Sequence, residues 1–190
     1  EIAVQKHDPE FSVQKLDYDD PDTYRMLGQG DTEGVFQLES SGMKQVLVGL
    51  QPQNLEDVIA LISLYRPGPM DSIPTYLRNR HEPDKISYKT PQLAHILDVT
   101  NGCIVYQEQV MQIFRELAGF SFGQADNVRR AMSKKKHAVM EAEREHFVHG
   151  CTDPGNECPG CVANGISEKV ANEIYDEMLS LIHISEPTRH

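Results

Sequence analysis

The sequence predicts a mainly α-helical domain with one or two short strands and long ordered loops. Apolar residues recur at helical spacing in several separate segments, the clearest of which is residues 105–118. Glycine, proline or a capping serine marks the ends of most of these segments. Only one short run, Val35-Phe36-Gln37-Leu38, has the β-branched and aromatic character of a strand.

The first part of the chain is predicted to hold three helices. Residues 22–27 form a short one that ends at Gly28 and Gly30, and Ser40 or Ser41 caps the second. The third runs over residues 55–65 until Arg66-Pro67-Gly68-Pro69 stops it. The apolar residues of the second and third helices are Met43, Val46, Leu47, Leu50, Leu55, Val58, Ile59, Ile62 and Tyr65. Phe36 and Met43 are expected in the core.

The second part is predicted to begin with ordered loops over residues 66–102, with one helix near 91–97. The helix over 105–118 follows, and Ser121 with Gln124 forms a capping box for the next one. A further helix covers residues 135–149, and residues 150–165 form an irregular insertion. Ser167 caps the final helix. The apolar faces of the 105–118 helix and the final helix comprise Tyr106, Val110, Ile113, Phe114, Leu117, Ala171, Ile174, Tyr175 and Met178.

Composition narrows the function classes. The chain is 39% hydrophobic, and no run approaches the roughly 20 apolar residues that a membrane span needs, so we expect a cytoplasmic protein without membrane contact. The formal net charge of -11 disfavours nucleic-acid binding on average. The charge is uneven, however, because residues 124–137 hold five Lys and Arg against one acid. Screening over about 10 Å lets such a basic patch meet a phosphate on an acidic protein.

Three of the four cysteines cluster near the carboxyl end. Cys158 and Cys161 have the C-x-x-C spacing of a zinc-binding turn, and Cys151 and His149 could complete four ligands. A second C-x-x-C unit, the usual partner of the first, is absent from the sequence. Zinc therefore competes with a simpler interpretation, a tight loop of reduced cysteines.

Four segments of the chain form an ordered set of motifs. In chain order they are Val35-Phe36-Gln37-Leu38-Glu39-Ser40, Leu64-Tyr65-Arg66-Pro67-Gly68-Pro69, Val105-Tyr106-Gln107-Glu108-Gln109-Val110-Met111 and Val128-Arg129-Arg130-Ala131-Met132-Ser133-Lys134-Lys135-Lys136. Together they resemble the C family of bacterial replicative DNA polymerases, the polymerase III alpha subunits. The resemblance covers about residues 16–178, and it implies that residues 1–178 are the fingers region. Three alternatives stay open: part of a polymerase, a stand-alone nucleic-acid-binding module, or a zinc-stabilised interaction module without catalysis.

The resemblance implies a parent enzyme, a DNA-directed DNA polymerase that transfers nucleotides during DNA replication with Mg²⁺ as cofactor. Its partners would be primer–template DNA, deoxynucleoside triphosphates, the sliding clamp and other replisome subunits. In that family the catalytic aspartates precede the first matched motif, so we expect the 190-residue chain to be inactive alone. Asp17 and Asp19 imitate a metal-binding pair, but their position before Pro21 indicates a helix start instead.

Phosphate binding is predicted for a set of cations, with the resemblance deciding against a merely solvated helix end. These cations are Arg66, Arg129, Arg130, Lys134, Lys135 and Lys136. Arginine supplies paired planar donors and lysine a point charge. For Arg66 a salt bridge to a nearby acid is an equal alternative. Gln107 and Glu108 lie on the polar face of their helix, where they are free to face a substrate.

The end of the chain departs from the family. Past Met178 the sequence resembles a translated sequencing adapter, so residues 179–190 are expected to be a non-native or disordered tail. A genuine divergent tail is the alternative, and no functional role is predicted there.

Overall fold

The computed structural model of the chain describes residues 2–134 and 137–183. These residues form two compact units, one within Glu1–Leu61 and the other within Ile62–His190. The predicted fold class is confirmed, because helices dominate and the described residues pair as strands only at one isolated bridge, Cys151 to Cys158. None of the helices in these ranges is both long enough and apolar enough to cross a bilayer.

The first unit is built on three short helices and most of a fourth. They are α1 (Ile2–Gln5), α2 (Pro21–Gly28), α3 (Ser41–Leu50) and α4 (Leu55–Leu64). Helix α2 begins where predicted, because the Asp20 side chain accepts hydrogen bonds from the backbone of Asp22 and Thr23. Ser40 caps α3 in the same way by accepting from Met43 N at 3.3 Å. The core of this unit includes Leu27, Leu38, Met43, Leu47, Leu50 and Leu61.

The strand predicted at residues 35–38 is wrong. Successive turn bonds run from Val35 N to Thr32 O at 3.1 Å and from Leu38 N to Val35 O at 3.0 Å. Gln37 adopts a left-handed backbone with φ 66°, which no extended strand allows. This turn buries Leu38 and leaves Phe36 83% exposed. The expectation that Phe36 belongs to the core is therefore wrong as well.

Helix α4 ends at Leu64, close to the predicted boundary, but its buried face differs from the predicted stripe. Val58 is buried as expected, whereas Ile59 is 45% exposed and Leu61 is fully buried. Seven of the ten residues of this helix are apolar, so periodicity alone does not select one face.

The second unit contains seven α-helices in its described residues. They are α5 (Ile73–His81), α6 (Ala94–Leu97), α7 (Gln107–Ala118), α8 (Phe122–Ser133), α9 (His137–His149), α10 (Gly160–Ala163) and α11 (Glu168–His183). Helix α5 replaces part of the predicted loop 66–102. Pro74 lies in its first turn, where a backbone N–H has no intrahelical partner, so the proline favours this helix start.

Two caps in this unit confirm the sequence prediction. Ser121 N donates to Gln124 Oε1 at 2.7 Å and Gln124 N donates to Ser121 Oγ at 3.3 Å, which is the expected capping box of α8. Ser167 Oγ accepts from Val170 N at 3.3 Å at the start of α11. Helix α11 continues through His183 and buries Leu179, so residues 179–183 are helical. The rest of the predicted tail, 184–190, lies outside the described residues.

Phe114 of α7 is at the centre of the second core. Its ring lies 5.0 Å from that of Phe120, 4.8 Å from that of Phe147 and 5.8 Å from that of Tyr175. Phe114, Phe147 and Tyr175 are fully buried, and edge-to-face and tilted contacts of this kind stabilise beyond the area they bury. Helices α7, α9 and α11 are thereby joined to one another.

Gln109 joins the start of α7 to the turn that precedes it. Its Oε1 accepts from the backbone N–H groups of Val105 and Tyr106, both at 2.9 Å. Its Nε2 donates to Ile96 O at 3.1 Å and to Thr100 Oγ1 at 2.7 Å. The amide is only 4% exposed, and these four bonds use both donors and both lone pairs of its oxygen.

We expect Gln109→Leu to lower the free energy of unfolding by about 2 kcal/mol, because it leaves buried N–H groups without an acceptor. The matched change Gln107→Leu, at an exposed position of the same helix, should shift it by less than about 0.5 kcal/mol. Urea denaturation followed by circular dichroism measures both. Equal stabilities for the two variants would contradict the structural role of Gln109.

Candidate functional site

The basic end of α8 brings together three of the predicted phosphate ligands. Arg129 and Arg130 lie in the last two turns of this helix, and Lys134 follows it with an exposed side chain. The last turn of a helix carries the negative end of its dipole, which stabilises cations there. Lys135 and Lys136 lie outside the described residues, so their predicted role stays a prediction.

One carboxylate positions both arginines. Arg129 places Nε and Nη2 at 2.9 and 2.8 Å from Asp126 Oδ1, and Arg130 places Nε at 2.7 Å from Asp126 Oδ2. Asp126 lies three and four residues before them, which is the spacing at which helical side chains meet. Sequence reasoning counted Asp126 only as a charge, although its spacing could have identified it as the positioning residue.

The arginine pair also fixes the charge state of Asp126. Hydrogen bonds from Arg129 and then Arg130 hold the pKa of this carboxyl below its usual range. A lowered carboxyl pKa means that the ion pairs are intact at neutral pH and are lost only as pH falls through that lowered value. The two guanidinium groups therefore keep this arrangement across physiological pH.

The basic helix end, defined as Arg129, Arg130 and Lys134, still offers donors to a ligand. A guanidinium carries five N–H donors, and the pairing with Asp126 engages only Nε of Arg130. The Arg130 side chain is 64% exposed and that of Arg129 33%. Together with Lys134 they carry three positive charges against the single charge of Asp126, and the donors of Arg130 that Asp126 does not engage are able to hold a phosphate group.

Arg66 lies in the tight turn that follows α4. Its N donates to Leu64 O at 2.7 Å and its carbonyl accepts from Met70 N at 3.2 Å, so its backbone is held firmly. Gly68 makes the turn possible with φ 111°. Across residues 2–134 and 137–183, no carboxylate forms an ion pair with Arg66, and no hydrogen bond joins it to the basic helix end. The salt-bridge alternative thus finds no support.

Gln107 and Glu108 occupy the first turn of α7, and both are exposed. Their exposure agrees with the prediction that this polar face is free. Contact with a substrate stays a prediction. Tyr106 precedes the helix and is half-buried.

The cysteine cluster forms a closed hairpin. The N–H of Cys151 donates to Cys158 O and the N–H of Cys158 donates to Cys151 O, both at 2.9 Å. Gly150 and Gly160 make this closure possible, because a Cβ on Gly160 would lie 2.3 Å from Gly150 N. Residues 152–157 form the exposed tip. The simpler interpretation, a tight loop of reduced cysteines, describes this geometry.

The zinc prediction for Cys151, Cys158, Cys161 and His149 is not supported. The described part of the chain contains no group of three or more His, Cys, Asp or Glu side chains arranged to hold a metal ion. Cys161 is fully buried, and burial raises the pKa of its thiol to about 12, whereas zinc requires thiolates. His149 instead places Nε2 3.8 Å from Glu168 Oε1 on the surface.

The acidic residues before α2 also serve a structural purpose. Asp17 Oδ1 accepts from Asp19 N at 3.0 Å in a local turn, and Asp20 caps α2. As predicted, this segment is a helix start.

Comparison with protein families shows what kind of domain carries this site. Residues 1–155 match the family described as the bacterial DNA polymerase III alpha subunit finger domain. The chain belongs to this family. The match includes Arg66 and the basic helix end, and it stops before Cys158 and Cys161.

Similar proteins agree with this assignment to the polymerase III finger domain. The chain is 46% identical over 180 residues to the DNA polymerase III subunit alpha of Staphylococcus aureus (strain Mu50 / ATCC 700699). The aligned region covers 95% of this chain and 16% of that relative. It is 45% identical over 180 residues to the corresponding subunit of Staphylococcus epidermidis (strain ATCC 12228 / FDA PCI 1200), with the same coverage. The chain thus spans a small part of the length of the curated relatives it matches. The resemblance inferred from the four sequence motifs is confirmed.

Proposed function

We propose that this finger domain binds the phosphates of primer–template DNA and of the incoming deoxynucleoside triphosphate in a replicative DNA-directed DNA polymerase. The observation that carries the proposal is the arginine pair of α8, positioned by Asp126. Arg129, Arg130 and Lys134, followed by Lys135 and Lys136, would contact phosphate oxygens directly. Arg66, held in its rigid turn, would supply a further cation, and Gln107 and Glu108 would face the substrate.

The geometry suits an electrostatic rather than a sequence-reading role. Arginine donors fixed by a neighbouring carboxylate lose little conformational freedom when they bind an anion. Phosphate contacts made by such cations position nucleic acid without distinguishing bases. The net charge of -11 disfavours phosphate over the surface as a whole, so the attraction depends on local positive charge such as that of the basic helix end.

The relatives, which are named as DNA polymerase III alpha subunits, support a wider role. The parent enzyme would join nucleotides during DNA replication with Mg²⁺ held by carboxylates outside the described residues. Its partners would be DNA, deoxynucleoside triphosphates, the sliding clamp and other replisome subunits. The compartment would be the cytoplasm, where bacterial DNA is replicated.

Salt-dependent DNA binding tests the proposal. Fluorescence anisotropy of the 190-residue chain with labelled primer–template DNA should give an affinity that falls with salt. Arg130→Ala should reduce the slope of log K against log salt by about 0.7–0.9, because one phosphate contact is lost. Circular dichroism verifies that each variant keeps its helices.

Arg25→Ala is the matched control, because Arg25 pairs with Asp22 at 3.0 Å with a helical spacing of three residues, as Arg129 does with Asp126. It lies on α2 and should leave the salt slope unchanged. Equal slopes for wild type, Arg25→Ala and Arg130→Ala would refute a phosphate contact at the basic helix end.

A further inference from the structure

A cavity of about 240 Å³ lies in the second unit, and none of the residues assigned above lines it. Helix α5 lines one side with Thr75, Arg78 and Asn79, and the segment after it contributes Lys85, Ser87, Tyr88 and Lys89. Leu93 and Leu97, both buried, form apolar wall, and Glu177 of α11 reaches the rim.

The charges of this cavity are predominantly positive. Three cations, Arg78, Lys85 and Lys89, line it together with one carboxylate, Glu177. Lys89 pairs with Glu177, and Lys85 pairs with Glu82 at 2.8 Å. In the ranges that the structure describes, no carboxylate forms an ion pair with Arg78. Two of the three lining cations are thus neutralised by a carboxylate, and Arg78 supplies the uncompensated positive charge of the cavity.

The lining is held in place by backbone contacts. Asn79 Nδ2 donates to Asn101 O at 2.7 Å, which ties α5 to the turn at residues 101–102. Gly102 has φ 80°, and a Cβ at this position would lie 2.8 Å from Ile86 Cγ2. Glycine therefore allows the turn to approach the segment that carries Lys85 and Lys89, and the cavity has a preformed wall.

We propose that this cavity binds a phosphate group, with Arg78 as the main ligand and Lys85 and Lys89 as supporting cations. Neither Arg66 nor any residue of the basic helix end lines this site. It goes beyond the function proposed above, because it requires neither nucleotide transfer nor the arginine pair of α8.

Size and chemistry both favour phosphate. The volume is smaller than the roughly 300–1,000 Å³ of sites for drug-sized ligands, so the cavity suits one small anionic group. Arginine matches the paired oxygens of a phosphate, and the hydroxyl groups of Thr75 and Ser87 offer further donors.

The existing ion pairs do not block such a ligand. The side chains of Lys89 and Glu177 are each 37% exposed, and that of Lys85 is 72% exposed. Exposed pairs of this type contribute little to stability, so both lysines are able to turn toward an incoming anion.

Two probes test the site on the full chain: inorganic phosphate, followed by phosphorus NMR, and a short DNA duplex, followed by anisotropy. Arg78→Ala is expected to weaken binding of inorganic phosphate about tenfold or more. Lys169→Ala, an 86% exposed control on α11, is expected to leave it unchanged. Arg78→Lys, which keeps the charge but loses the paired donors, should fall between them.

The outcomes separate the source of the phosphate and the two proposals. If Arg78→Ala loses binding of both inorganic phosphate and the DNA duplex, the ligand is the DNA backbone. If it loses binding of inorganic phosphate alone, the ligand is a terminal phosphate of a small molecule. Unchanged binding of inorganic phosphate in Arg78→Ala overturns the cavity site. Arg130→Ala, measured beside them, should change DNA binding but leave inorganic phosphate in the cavity, so either proposal is able to fail without the other.

Discussion

Replacing Arg129 or Arg130 with alanine is expected to lower kcat/KM for nucleotide incorporation roughly 10- to 100-fold in a polymerase that carries this chain. Charge-assisted hydrogen bonds contribute about 1.5–3 kcal/mol each, which corresponds to this range of rates. The loss should appear mainly as a higher nucleotide KM or a lower kcat, since both side chains lie on the surface of α8 and the fold should persist. Removal of Lys134 should act more weakly and depend more on salt.

Single-nucleotide incorporation measures this effect in a Staphylococcus aureus alpha subunit whose matching segment is replaced by this chain. The unsubstituted chimera is the reference, and Arg25→Ala is the control for loss of an exposed positive charge. The 190-residue chain alone serves as the blank and is expected to add no nucleotide. Kinetics at the reference level for both arginine variants would remove the basic helix end from the substrate site.

The substitution Phe114→Ala should cause the largest loss of stability. Removing a buried phenylalanine costs about 3–5 kcal/mol through lost burial and the cavity that remains. Phe114 contacts three other rings, so the cavity would lie where α7, α9 and α11 meet. The melting temperature should fall by about 2–4 °C for each kcal/mol, or about 6–20 °C in total.

Phe122→Ala is the matched control for Phe114→Ala. Its ring is 65% exposed and makes one described cation–π contact, with the Arg115 guanidinium carbon 5.8 Å from the ring centre. The free energy of unfolding should therefore change by less than about 1 kcal/mol. Equal melting temperatures for the two variants would mean that Phe114 is not at the centre of the core.

Structural elements that depend on strong local signals could be predicted from the sequence alone. Ser40, the Ser121–Gln124 box and Ser167 all cap helices as predicted, because capping is decided by residues three or four positions apart. The strand at residues 35–38 failed because strand pairing depends on a distant partner, and composition alone supplies none. Helix α5 was missed because proline and glycine around it suggested a loop, although Pro74 fits a helix start.

In the candidate site, too, some residues could be predicted from the sequence and others were found only in the structure. The cations of α8 were recognised from their clustering and from the family motif, but the positioning role of Asp126 emerged only from its distances to Arg129 and Arg130. The cavity near Arg78 was not predicted, because its lining joins α5 and the segment after it to Glu177 of α11, which is far away in the chain. The cysteine spacing suggested zinc, yet burial of Cys161 depends on tertiary packing that spacing cannot reveal.

The hairpin closed by Cys151 and Cys158 is a suitable site for inserting a peptide. Its two ends are fixed by paired backbone hydrogen bonds, while residues 152–157 are exposed. Lengthening a surface loop costs little free energy, since each doubling of its length adds only about 0.6 kcal/mol. Asn156 belongs to the fixed part of this loop, because its carbonyl accepts from Gln124 Nε2 of α8 at 2.8 Å. An epitope tag or a dye-binding peptide inserted before it, between Pro154 and Gly155, should therefore report on a polymerase that carries this chain.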